Sequence, residues 1–283
     1  IWLRQDQRLS DHPALAAAEA SNREVIPCYV LDTRDTRPWR PGGASRWWLY
    51  HSLSEIGQRI REQGGDLLLK HGDPVSIITE LALEVGASAV YWSRAVEPHC
   101  RRDETALAST LEAHGIGSEG FAGNLLFAPE MIQNRSGAPF RVFTPFWKHC
   151  LANGSKMRAP TGPVSPEFST DLPDGDVLDD WGLLPTHSNW AAGLKETWQP
   201  GEAAGQALLH KFVEKAPRYN THRNFPAEDA TSRLSPYLHF GNISAAQAYA
   251  AFSASGREPD QGVAAFQREV GWREFSAHLL VHF

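Results

Sequence analysis

Cysteine is scarce in this chain. Three residues of 283, Cys28, Cys100 and Cys150, are odd in number, far apart and without any CxxC spacing. Neither a disulfide framework nor a cysteine zinc site is expected, and a reducing cytoplasm fits. No run of eighteen apolar residues occurs, so no membrane span is expected, and no signal-peptide pattern opens the chain. The chain opens on "IWLRQD", which reads as a strand already under way, so a fragment at both ends is expected. Several motifs are also missing. There is no GxGxxG, no GxxxxGK[ST], no GxSxG and no HExxH, and none of the 12 histidines shows metal-ligand spacing with a partner. These absences remove support for a P-loop or dinucleotide fingerprint, a serine hydrolase and a metalloenzyme.

Net charge is −6, which as a sum argues against non-specific nucleic-acid binding. Its distribution matters more. From residue 201 onward eight Lys or Arg face eight Asp or Glu, so the excess lies in the first two hundred residues and the C-terminal part has room for a local basic site. The hydrophobic fraction of 42% suffices for proper cores.

Strand and helix signals alternate through the first half. Apolar runs at 25–30, 67–69 and 89–92 have strand length, and helical stretches span 46–63, 74–85 and 101–114. Within "HGDPVSIITELALEVGASAVYW", Asp73 is placed to cap, Pro74 to open the helix and Gly86 to end it before the next strand. Repeated units of this kind predict a doubly wound parallel sheet, a Rossmann-like α/β domain over residues 1–130. Ligands of such sheets bind at the carboxyl ends of the strands. A stretch crowded with Pro, Gly, Ser and Asp follows, and residues 131–201 read as an interdomain connector. Beyond it only helical patterns occur, at 202–216, at 245–254 after a cap at Ser244, and from 260 to the end. An all-α domain beginning at 202 is the reading.

Two segments stand apart chemically. In "YNTHRNFPAEDATSRLSPYLHFGNIS" the hydroxyls of Thr231, Ser232 and Ser235 cluster around Arg233 before a helix start, a pattern that serves as a phosphate cradle or as plain capping. In "FQREVGWREFSAHLL" the residues Phe266, Glu269, Trp272, Arg273 and Ser276 are spaced by threes and fours and share one arc of a helix whose other positions are largely apolar. Either a structural Glu–Arg pair beside a core tryptophan or the wall of a polar cavity accounts for them.

These two segments, together with "RQDQRLSDHPAL", "GGASRWWLYHSL", "YWSRAVEPHCRRDE" and "RVFTPFWKHC", closely resemble the DNA photolyase/cryptochrome family, most of all class I cyclobutane pyrimidine dimer photolyases. The resemblance covers essentially the whole chain. It implies light-driven repair of pyrimidine dimers in UV-damaged DNA, with an electron passing from photoexcited reduced FAD to a flipped-out dimer. Its alternative is a cryptochrome-type photosensor without repair activity, and an electron-transfer flavoprotein-like module is a third reading. It further implies that Tyr219, Thr231, Ser232, Arg233, Leu234, Ser235 and Phe266 hold the flavin, that Glu269 and Trp272 serve catalysis, and that Arg223, Glu269, Trp272, Arg273 and Ser276 meet DNA. Relatives run past residue 283 and carry their tryptophan electron-transfer chain there, so none of the ten tryptophans is assigned to it, and this length alone is expected to be inactive. A second antenna chromophore, methenyltetrahydrofolate or a deazaflavin, is left open because Pro98 and His99 stand where folate-binding members carry Asn and Glu. A monomer is expected.

Overall fold

The computed structural model describes residues 1–34, 40–188, 190–252 and 260–283. Five parallel strands, β1 (Trp2–Leu3), β2 (Cys28–Asp32), β3 (Leu68–Gly72), β4 (Ala89–Ser93) and β5 (Gly117–Phe121), form one sheet in the order β3-β2-β1-β4-β5. The helices α1 (Pro13–Ala20), α2 (Gly43–Glu62), α3 (Pro74–Glu84) and α4 (Pro98–Ala113) connect them. Side-chain alternation divides the sheet between two cores. Trp2, Cys28 and Val30 bury on one face with Ile78, Leu81, Leu107 and Leu111 of α3 and α4. Leu3, Tyr29 and Leu31 turn to the other face, toward Leu15 of α1 and Leu53, Ile56 and Ile60 of α2. Burial on both faces is what a doubly wound sheet requires.

The local signals act as the sequence implies. Asp73 accepts hydrogen bonds from the backbone N–H groups of Val75 and Ser76, and Pro74 opens α3. Two boundaries differ. The apolar run from Val25 enters the ladder only at Cys28, because Pro27 has no N–H to give. Strand β5, "GSEGF", lies outside the apolar runs because it is an edge strand, exposed along most of its length and held by backbone pairing to β4.

Residues 143–152 of the stretch read as connector form a helix, α5 (Phe143–Ala152). Its Phe143, Phe146, Trp147 and Cys150 are buried in a third core shared with the C-terminal helices. Those are α6 (Ala192–Thr197), α7 (Glu202–Lys215), α8 (Tyr219–His222), α9 (Ser235–Phe240), α10 (Ala245–Ala250) and α11 (Gln261–His282). Ser244 caps α10 through a reciprocal capping box with Gln247, and residues 253–254 of the expected helix 245–254 lie outside the described residues. Asp260 caps α11 by accepting from the N–H of Val263. No described helix is long and apolar enough to cross a membrane.

A buried polar loop joins the sheet to the helices. The fully buried Arg8 donates to the carbonyls of Asp11, Gly123 and Gly241 and to Asn124 Oδ1. Glu202, at the start of α7, accepts from the backbone of Leu9 and Ser10 and pairs with Arg59. Asn242 accepts from Trp48 Nε1 and donates to the carbonyl of Gln7. Buried charges of this kind persist because nearly every donor has a partner, and breaking one pair would leave an uncompensated charge inside. The loop after β1 thereby holds the start of α7 and the turn between α9 and α10 against the sheet domain.

Candidate functional site

Helix α11 carries the centre of the site. Asp260 starts it and Gly262 lets it approach α7's end closely, since a Cβ there would stand 2.1 Å from the carbonyl oxygen of Ala216. Phe266 is buried and meets Phe212 at 4.8 Å between ring centroids, Phe252 at 5.5 Å and Tyr219 at 5.8 Å, the last edge-on at 87°. Tyr219 is nearly buried, and burial raises its phenol pKa. The Arg223 guanidinium lies 5.0 Å from the Tyr219 ring centre, a cation–π distance. Its Nη1 donates to Glu269 Oε1 at 2.6 Å. Phe266, Tyr219, Arg223 and Glu269 are therefore one continuous line of contacts running from the core to the surface.

One turn further along, Trp272 is 45% exposed, large for an indole in a helix whose neighbours Gly271 and Phe275 are buried. It stacks on Phe143 of α5 with centroids 3.7 Å apart and planes 11° apart. Ser276 is exposed and donates back to the carbonyl of Trp272 at 2.9 Å. Arg273 turns elsewhere. Its Nη1 donates to the carbonyl of Asn124 and its Nη2 to the carbonyl of Leu238, so it ties α11 to the loop after β5 and to α9. The arc is thus divided: Phe266 faces the core, Glu269 and Trp272 are open to solvent, and Arg273 holds backbone.

The hydroxyl-rich loop precedes α9. Arg233 takes a left-handed conformation at φ 54°, which bends the chain so that Leu234 buries while Thr231 and Ser235 stay exposed. The Arg233 guanidinium stands 4.4 Å over the Trp198 ring. Ser232 Oγ accepts from the N–H of Leu234 at 3.4 Å. Among the described residues the Thr231 and Ser235 hydroxyls have no protein partner, so simple capping leaves two of the three hydroxyls unexplained and available to an anionic ligand.

Sequence reasoning missed Glu274. Its carboxyl is buried and accepts from the N–H groups of Leu126 and Phe127, beside Arg273. Burial pushes its pKa up to about 7 against the opposing pull of Arg273 and the two N–H groups. A carboxylate within an apolar helical face was the available signal. Asn124 and Phe143 were also missed, and nothing local marks either. A groove of about 780 Å³ runs along α4 and the β5 edge, from Gly117 at the start of β5 to the loops after β4 and β5, with Arg94, Arg101, Glu104, Asn124 and Pro129 in its walls. Pro98 and His99 stand nearby in the first turn of α4. No cluster of metal-binding side chains occurs among the described residues.

Residues 1–166 match the DNA photolyase family model, more than half of the chain. The chain belongs to the DNA photolyase family. It is 38% identical over 286 residues to the deoxyribodipyrimidine photo-lyase of Agrobacterium fabrum, covering 100% of this chain and 59% of the relative. It is 29% identical to cryptochrome-1 of Arabidopsis thaliana over 293 residues, 99% of this chain and 42% of the relative. The crystal structure of a bacterial class III photolyase from Agrobacterium tumefaciens superposes with a TM-score of 0.91 at 38% identity, covering 100% of this chain and 58% of that one. The chain thus spans about 60% of the length of the photolyases it matches. Both repair enzymes and cryptochromes are among the similar proteins, so membership of the photolyase family fixes the fold and leaves the choice between the two activities to the site.

Proposed function

We propose that the protein carrying this chain repairs cyclobutane pyrimidine dimers in DNA under blue light. The observation that carries the reading is the pairing of a partly exposed indole with a carboxylate one helical turn away, Trp272 and Glu269, at the outer end of the aromatic line through Tyr219 and Phe266. An open indole face stacks on bases irrespective of their identity, and a carboxyl group bonds their polar edges. A dimer stacks poorly, so extruding it from the duplex costs less than extruding an intact pair. Arg223 stands beside Glu269, where it can meet a backbone phosphate once the lesion is in place. Ser276 adds a hydroxyl on the same exposed arc.

The residues present suit FAD. Thr231 and Ser235 offer hydroxyls without a protein partner among the described residues, Arg233 and Ser232 lie between them, and Leu234 anchors the loop in the core. Together they would hold the diphosphate, with Tyr219 and Phe266 as apolar walls for the rings. Bound FAD supplies the photoexcited one-electron donor. The chain's part is to orient the two reactants, keep the aromatic line dry and hold the lesion at Trp272 and Glu269. For a second chromophore, a folate or a deazaflavin, the groove along α4 and the β5 edge has the room, although Pro98 and His99 place neither an amide nor a carboxylate at the start of α4.

The similarity to a cryptochrome favours a second reading, a flavin photosensor that does not repair. Blue-light illumination of the full-length protein with a dimer-containing oligonucleotide separates the two. Loss of dimers, absent in the dark, supports repair; flavin photochemistry with every dimer intact supports the photosensor.

A further inference from the structure

Trp272 is the outermost ring of an aromatic group on α5 and α11. Phe143 covers one face of its indole at 3.7 Å and 11°, and Trp147, one turn along α5, lies beside Phe143, near-parallel at 11° and offset with centroids 6.4 Å apart. Phe143 and Trp147 are both 8% exposed, whereas Trp272 is 45% exposed. The seat for this group is made by Gly271. A Cβ at that position would stand 2.7 Å from Trp147 Cε3, so only glycine lets α11 lie against the Trp147 ring with residue 272 next in line. Phe275 completes the setting from α11, edge-on to Phe143 at 67° and to Trp272 at 72°.

A solvent-exposed tryptophan on a helix ordinarily samples several rotamers, and each must be given up when a ligand stacks on it. Here the exposed indole has its inner face pressed flat on a buried ring that is itself flanked by Trp147 and Phe275. We propose that Phe143 is a positioning residue for lesion recognition: it holds the Trp272 ring in one orientation, with its outer face presented to the extruded dimer. The inference rests on the lesion-pocket reading of Trp272. It assigns a part of the recognition surface to α5, in the segment that reads as connector, and explains why that helix joins the core of α11 rather than running over the surface.

The test compares Phe143→Leu, Phe143→Met, Phe143→Tyr and Trp272→Ala in the flavin-loaded full-length protein. Each is titrated with an oligonucleotide containing one thymine dimer and with the same oligonucleotide undamaged, and the ratio of the two affinities is read. That ratio is unaffected by partial unfolding, which lowers both affinities together. Phe143→Leu and Phe143→Met should reduce the ratio by about 2- to 10-fold, the worth of an aromatic pair beyond its buried area. Phe143→Tyr keeps the ring and should restore it to within about twofold. A ratio unchanged in Phe143→Leu and Phe143→Met, while Trp272→Ala loses it, overturns the positioning role and leaves the lesion pocket standing. A ratio unchanged in Trp272→Ala as well overturns both.

Discussion

Arg223 and Glu269, 46 residues apart, share a hydrogen-bonded ion pair of 2.6 Å in which each side chain remains about one-third exposed. A pair this open to water adds little to stability. Its interest lies in what it holds back. While Arg223 is engaged by Glu269, its charge is partly withheld from a phosphate. Glu269→Gln should therefore release it: the affinity for undamaged DNA should rise, and the slope of log affinity against log salt should steepen by about one phosphate contact. On the lesion-pocket reading, preference for dimer DNA should fall at the same time, because the carboxyl group proposed to bond the lesion is gone. Titrations at several salt concentrations check both, and an unchanged slope would mean that the pair is structural only.

Trp272→Ala should weaken binding to dimer-containing DNA by about 5- to 150-fold, the loss of one stacked ring at about 1–3 kcal/mol. Undamaged DNA, held mainly through phosphates, should lose far less. Flavin content should not change, since the loop at 231–235 is remote in sequence and untouched. Paired affinity measurements with an absorbance spectrum of the purified variant decide the matter.

The hydroxyl loop predicts a separate phenotype. If this loop holds the flavin diphosphate, replacing Thr231, Ser232 and Ser235 together by Ala removes hydrogen bonds to a charged group worth about 1.5–3 kcal/mol each. The purified full-length variant should lose its flavin while keeping a melting curve close to that of the parent apoprotein. A colourless variant of normal stability fits the cradle; a yellow variant of lowered stability fits mere capping.

Glu274 predicts a pH dependence of stability. Its buried carboxyl titrates near pH 7, above the range of the same group in the unfolded chain. Below the unfolded pKa the group is protonated in both states, and its contribution is fully present. As pH rises from the unfolded value towards the folded value of about 7, the unfolded chain has released its proton while the folded one keeps it, so stability is lost across that window by an amount on the order of 3 kcal/mol and levels off above it. Glu274→Gln keeps an acceptor for the N–H groups of Leu126 and Phe127 without the charge, and should flatten that part of the curve. Thermal melts at intervals from pH 5 to 8.5 on both proteins measure it. Equal slopes would show that Glu274 is ionised throughout.

The local rules of the chain determined a good deal. Asp73 with Pro74, and Ser244 with Gln247, start helices because their side chains satisfy backbone donors within three residues, a matter of sequence alone. The alternation of apolar strands with amphipathic helices required a parallel sheet covered on both faces. The spacing of Phe266, Glu269, Trp272, Arg273 and Ser276 put them on one arc because helical geometry is fixed at 3.6 residues per turn. Tertiary structure decided how that arc is used. Whether a charged group meets a side chain, as Glu269 meets Arg223, or a carbonyl, as Arg273 meets Asn124 and Leu238, depends on contacts 35 to 149 residues away, and no periodicity encodes a partner at that distance. Whether Glu274 is charged depends on the dryness around it. Whether Trp272 is held depends on Phe143, 129 positions earlier and inside a stretch whose composition reads as connector. Strand β5 likewise forms because β4 offers an edge, not because "GSEGF" favours a strand. The sequence sets faces and ends, which are local properties of one element; packing sets partners, solvent access and proton affinity, which belong to two or more elements at once.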